Sequence, residues 1–251
     1  MSQDDERSLW KQGARTWDDF LAKPEIWALP DKTSRSSFVK VLNDSKKKLS
    51  TLDNQYFERR LPPGQAWRMF PEFESSCVYL DIETNGGYYG DAITVVGIYD
   101  GYRFRAFVKG KDLKDFPDYI SQYNMIVSFF GKSFDMPLIK KRFPQCHFPQ
   151  THLDLCPILR KLGYKGGLKK IEKQLGISRD VDTDGLTGRD AITLWRYAQL
   201  GRQDALDTLI KYNEEDVVNL KTLMHFAYDN LKQQTLGLDL RQQTRKRKAA
   251  T

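Results

Sequence analysis

The chain has 251 residues, a net charge of +7, 40% hydrophobic and 29% charged residues. That balance supports a folded core and excludes global disorder and collagen-like repeats. No stretch approaches the roughly 18 consecutive apolar residues of a membrane span, the start MSQDDERSLW lacks the pattern of a signal peptide, and three cysteines are too few for a disulfide framework, so a cytoplasmic protein with no membrane partner is expected.

In chain order, residues 1–70 are polar with scattered aromatics such as Trp10, Trp17, Phe20 and Trp27. Phe38, Val41, Leu42, Leu49 and Leu52 have helical spacing, so this stretch reads as a mostly helical or irregular lead. LPPGQAWRMFPEF follows as an irregular connector with Pro62, Pro63, Gly64 and Pro71 as breakers. From Cys77 the pattern changes: CVYLDIE, AITVVGIYDG and YRFRAFV read as three strands, with Asp100-Gly101 suggesting a hairpin between the last two. KDLKDFPDYISQY reads as helix, MIVSFF as a buried strand, KSFDMPLIKKRF as a loop turning into a helix, and HLDL as a short fifth strand. LKKIEKQLG, DAITLWRYAQLG and ALDTLIKYNEEDVVNLKTLMHFAYDNL are then helical, with Gly176 as a stop for the first. The fold class is α/β, a mixed sheet flanked by helices. The main domain is expected over 71–239, followed by a disordered basic tail over 240–251.

Charge follows these divisions. Residues 1–70 carry a net of +3, the tail LRQQTRKRKAAT +5, and the stretch 71–239 a net of −1. A basic chain with a slightly acidic centre is a poor fit to simple electrostatic binding of nucleic acid.

Four carboxylates stand out by setting. Asp81 and Glu83 lie two apart at the end of an apolar strand, and residues i and i+2 of a strand share one face. Such paired carboxylates repel unless something compensates them. Asp135 follows another apolar strand and a glycine, and Asp216 sits in a late helix four residues after Tyr212, on the same helical face. Each piece alone is common on protein surfaces; their order and their buried settings set them apart. Oxygen-only ligands suit Mg²⁺ or Mn²⁺, and two such ions about 3.5–4 Å apart form a clamp for phosphodiester cleavage.

LDIET, GKSFDMPLI and YNEEDVVNL, in that order, resemble the three motifs of the ribonuclease H-like, DnaQ-like 3′–5′ exonucleases of the DEDDy type. Within them, HLDLCPILRKLGYKGGLKKIEKQLGI is similar to the YprB-like ribonuclease H-like domain proteins. The resemblance covers residues 75–230. It implies a ribonuclease H-like fold and metal-dependent 3′–5′ exonuclease activity on single-stranded nucleic-acid ends, DNA or RNA. It implies two divalent ions on Asp81, Glu83, Asp135 and Asp216, with Tyr212 orienting the attacking water. Thr84 and Asn85 would lie near the terminal nucleotide. Phe130 departs from the pattern, standing where such proteins often carry Asn before the glycine of the second motif. The alternatives are a non-catalytic nucleic-acid-binding module, or a partner-docking module whose lead region meets a helicase or repair protein.

Residues 140–173 hold nine basic side chains against Asp154 and Glu172. This is either a solvated surface or one that tracks phosphates. The glycines of GYKGGLKK leave backbone N–H groups for a phosphate, with Lys169 near, and Lys132 is a second phosphate candidate. Asp154 reads as a helix cap or a brace behind the metals. Cys146, His147, His152 and Cys156 cluster without the spacing of a zinc site. Tyr88 and Tyr89 could stack on bases or pack in a loop. Two divalent ions on the four acids would add +4 to the acidic centre. Its deficit of positive charge is then the expected mark of a metal-dependent nuclease.

Overall fold

A computed structural model describes residues 2–30 and 33–237. The basic tail 240–251 and the end of the 71–239 stretch lie outside the described residues. The lead contains α1 (Gln3–Gln12), α2 (Trp17–Ala22), α3 (Arg35–Ser50) and α4 (Asn54–Glu58). Capping boxes on Ser2 and Thr16 start the first two helices. Leu9, Ala14, Phe20 and Leu42 form a small core of their own.

The connector differs from its sequence expectation. A 3-10 turn over Ala66–Met69 leads into the short α5 (Phe70–Phe73), with Pro71 in its first turn. Proline fits there because the first helical N–H groups lack partners in any case. Trp67, Met69, Phe70 and Phe73 are all buried in the main core. The breakers shorten the helical turns without making the segment a surface linker.

The sheet comprises β1 (Cys77–Thr84), β2 (Ile93–Tyr99), β3 (Phe104–Val108), β4 (Met125–Ser128) and β5 (Thr151–Asp154). Its strand order is β3-β2-β1-β4-β5. The first three strands pair antiparallel, and β1-β4 and β4-β5 pair parallel. At the hairpin between β2 and β3, Asp100 Oδ1 accepts from the backbone of Tyr102 and Arg103, at 2.8 and 2.7 Å. Helices α6 (Phe116–Ile120) and α7 (Asp135–Arg142) precede and follow β4. They are followed by α8 (Leu155–Lys161), α9 (Leu168–Gln174), α10 (Gly188–Gln199) and the 34-residue α11 (Gln203–Leu236).

Alternation along β1 divides the protein into layers. Val78, Leu80 and Ile82 pack with Phe116 and Ile120 of α6 and Met136 and Ile139 of α7. Cys77 and Tyr79 pack on the other side with Val217, Leu220 and Met224 of α11. By the same period, Asp81 and Glu83 face α11, beyond the end of the apolar packing. No helix among the described residues is long and apolar enough to cross a membrane.

If the connector is part of the core, Trp67→Ala should destabilise the protein by about 3–5 kcal/mol. Urea unfolding followed by circular dichroism measures this. A loss within the ±0.5 kcal/mol of an ordinary surface change would show the segment to be peripheral.

Candidate metal centre

Three of the four carboxylates converge. Oxygen atoms of Asp81, Glu83 and Asp216 all lie within 4.8 Å of one another, and Glu83 and Asp216 are buried. Asp135 stands just outside that triad, at the start of α7. Parallel pairing of β4 with β1 runs only over Cys77–Tyr79. Beyond it the Ile82 N–H is taken by Asp135 Oδ1 at 3.2 Å. Gly131 lets this turn close: a Cβ there would lie 2.2 Å from Ser128 Oγ and 2.9 Å from Asp135 Oδ2.

Opposite Asp81 in the β1-β2 ladder stands Gly97. A Cβ at Gly97 would come within 1.8 Å of Asn213 Oδ1. The missing side chain lets α11 approach the sheet, and Asn213 Nδ2 donates to Asp81 Oδ2 at 3.0 Å. Asn213 Oδ1 has no hydrogen-bond partner among the described residues.

Arg179, on the loop after α9, is the counter-charge within hydrogen-bond reach. Its side chain is only 4% exposed. Its Nε and Nη2 donate to the two oxygens of buried Glu172, both at 2.7 Å, and Nη2 also donates to Asp216 Oδ1 at 2.5 Å. Asn219 Nδ2 donates to Glu172 Oε1 at 3.0 Å, completing the support. Asp154 takes the capping role and also holds the turn before Asp135. It caps α8 through the Cys156 N–H, and it accepts from the backbone N–H groups of Phe130 and Lys132, at 2.8 and 3.1 Å.

These surroundings set the protonation states. Burial, then neighbouring carboxylates, push Asp81 and Glu83 well above the carboxylate range. Burial pushes Asp135 up to about 7, against the hydrogen bond from Ile82. Burial also lifts Asp216 to about 6, with Arg179 opposing it. Tyr212 is raised above its ordinary value by burial and then by Asp216, Glu83 and Asp81, so it is a neutral phenol at physiological pH. A cluster of proton-hungry carboxylates with only oxygen donors fits a hard divalent cation, which would supply the missing charge.

Lys169 turns inward. Its Nζ lies 4.1 Å from the Tyr212 ring centroid and donates to the Leu186 carbonyl. Its charge acts on Asp216 and Glu83, and burial lowers its pKa. Lys132, Asn85, Tyr88 and Tyr89 are exposed. Thr84 Oγ1 and Asn85 Oδ1 accept from Gly86 and Gly87, shaping the turn after β1. His152 is held neutral, its pKa lowered to about 4 by burial, with Nε2 2.7 Å from Ser128 Oγ. A cavity of about 810 Å³ lies apart from the acids, between the lead helices, the connector and the C-terminal part of α11, lined by Trp10, Trp17, Phe57, Trp67, Phe73 and Tyr228 among others.

Sequence reasoning missed Arg179, Glu172 and Asn213. Asn213 alone had a local signal, three residues before Asp216 on one helical face.

Residues 78–228, more than half of the chain, match the RNase H superfamily, and the chain belongs to it. No curated protein matches the sequence. Among solved structures, a family B DNA polymerase from the hyperthermophilic archaeon Pyrobaculum calidifontis is similar, with a TM-score of 0.50 at 16% identity. The match covers 59% of this chain and 24% of the polymerase chain, and it shows the shared fold. Superfamily membership and the buried acids at the end of β1 together support nuclease-type chemistry.

Two substitutions test this geometry. Gly97→Ala must displace Asn213 or the α11 backbone and should cost roughly 1–3 kcal/mol, as overpacking does. It should also weaken divalent-ion binding, read by calorimetry. For Asp135, the folded pKa of about 7 exceeds the ordinary aspartate value of 3.8. The native state therefore keeps a proton that the unfolded chain loses, and metal-free stability falls as pH rises from about 4 to about 7. Asp135→Asn retains an acceptor for Ile82. In EDTA it should match the wild type near pH 4 and exceed it at pH 8, by on the order of 1–4 kcal/mol. Equal denaturation midpoints at pH 8 would contradict the raised pKa.

Proposed function

We propose that this protein is a metal-dependent 3′–5′ exonuclease of the DEDDy type, related to the YprB-like proteins, acting on single-stranded ends of DNA or RNA. The observation that carries the reading is the convergence of Asp81, Glu83 and Asp216 from β1 and α11 within 4.8 Å, with Asp135 bonded to the Ile82 N–H beside them. Direction and end preference come from the motif resemblance.

The four carboxylates would hold two divalent ions, Mg²⁺ or Mn²⁺. Bound there, the ions would activate a water and stabilise the leaving oxygen. Asn213 fixes the Asp81 carboxylate through Oδ2, and Arg179 fixes Asp216 through Oδ1, so both present a second oxygen in a set orientation. Tyr212 keeps its proton. Its place beside Asp216 and Glu83 suits it to orient the attacking water. Lys169, held over the Tyr212 ring, adds positive charge near Glu83 and Asp216, where a phosphate would lie. Thr84, Asn85 and Lys132 border the site as substrate contacts.

End-labelled single-stranded DNA and RNA, incubated with Mn²⁺, Mg²⁺ or EDTA, test the reading. Stepwise shortening from the 3′ end is expected with metal and none with EDTA. Asp81→Ala should lower the rate by at least about 10³-fold while the circular dichroism spectrum stays native. The absence of metal-dependent shortening on every substrate would leave a non-catalytic binding module as the better account.

A further inference from the structure

Phe130 breaks two rules at once. Its φ is 65°, in the left-handed region that favours Gly or Asn, and it is not a glycine. A bulky residue there is strained. The residue stays half-exposed, at 52%.

The backbone around it is firmly fixed. Asp154 Oδ1 accepts from the Phe130 N–H at 2.8 Å, and the Phe130 carbonyl accepts from Ser133 and Phe134, both at 3.2 Å. The next residue is Gly131, whose backbone lies against the Asp135 carboxylate. The turn that closes the acidic centre therefore also carries a large, half-exposed apolar side chain next to Gly131, which lies against Asp135. Local energetics favour a smaller residue there, and packing does not require this one. What the ring offers is an apolar face to something outside the chain.

We propose that Phe130 is a stacking residue for the terminal base of a single-stranded nucleic acid whose end phosphodiester lies on the acidic centre. The inference rests on the nuclease reading above and names a specificity element of that site. A base presents a π-face whatever its identity, so stacking is tolerant of sequence. Because the turn is already ordered, binding loses less conformational freedom than it would on a loose loop. The structure thus assigns a preference for ends that carry a base over abasic ends.

The test separates strand contact from cleavage. The probe is a thymidine oligonucleotide of about 12 residues with 2-aminopurine at its 3′ terminus, and a second copy is abasic at that terminus. Binding and fluorescence are measured in Ca²⁺, with the recovered oligonucleotide checked to be intact. RNA versions run in parallel. The wild type should quench the terminal 2-aminopurine and bind the abasic copy about 10-fold more weakly. Phe130→Asn should lose the quench, bind the base-bearing end about 10-fold more weakly, and no longer distinguish the two probes. Its melting temperature should be equal to or above the wild type's, because the left-handed backbone is relieved. Tyr102→Ala is the control: this residue is 89% exposed, lies on the hairpin at the far end of the sheet, and should change nothing.

Wild-type quenching and discrimination retained by Phe130→Asn would overturn the proposal, as would a wild type that binds neither DNA nor RNA ends. If metal-dependent shortening persists while Phe130→Asn keeps the wild-type KM, the stacking role fails and the nuclease reading stands. If quenching depends on Phe130 but no strand is ever shortened, the stacking role stands and the nuclease reading fails.

Discussion

The structure is organised around one electrostatic problem: three carboxylates converge, with a fourth beside them, where the sheet and α11 leave little room for water. Like charges so placed raise one another's pKa values and destabilise the folded state at neutral pH. Each solution visible in the fold answers that problem in part. Asn213 and the Ile82 N–H donate to Asp81 and Asp135, and Arg179 pairs with Asp216. None of these neutralises the whole cluster, and the balance of charge left over is what a divalent cation would supply. The same repulsion that costs the fold stability is what would favour such an ion.

The same constraint explains several features that are not themselves ligands. Gly97 is empty of side chain because Asn213 must reach across it. Glu172, buried within a short helix, is the second anchor of Arg179 and takes its Nε and Nη2 donors, while Nη1 finds no hydrogen-bond partner among the described residues. Asp154 is shared between the start of α8 and the turn before Asp135, so one carboxylate sets both the helix and the site. Removing such a support would disturb the acidic cluster without touching any of its carboxylates.

Much of this was legible in the sequence, because the informative patterns were local. The two-residue spacing of Asp81 and Glu83 places both on one face of β1, and Tyr212 and Asp216 share one face of a helix. The breakers at Asp100-Gly101 and Gly176 mark turns that the structure contains. Nonlocal relations were less visible. LKKIEKQLG reads as an amphipathic surface helix, and nothing within it reveals that Glu172 is 1% exposed. Its partner lies seven residues on, in an irregular loop. The burial of the connector was hidden for a related reason. Proline and glycine report local backbone limits, whereas the burial of Trp67 and Phe73 depends on α11 more than a hundred residues later.

Helix α11 carries a mechanical consequence. Tyr212, Asn213 and Asp216 stand in the first half of its length, and near its other end Arg7 Nε from α1 donates to the Thr235 carbonyl at 2.7 Å. At 1.5 Å per residue, those points are about 30 Å apart on one uninterrupted rod. A tilt of about 1° about the acidic cluster would move the far end by about 0.5 Å, and the same leverage works in reverse. The amino-terminal helices therefore act as a tensioning bracket. By holding the long arm of the lever still, they set the tolerance within which two carboxylate-bearing elements stay aligned.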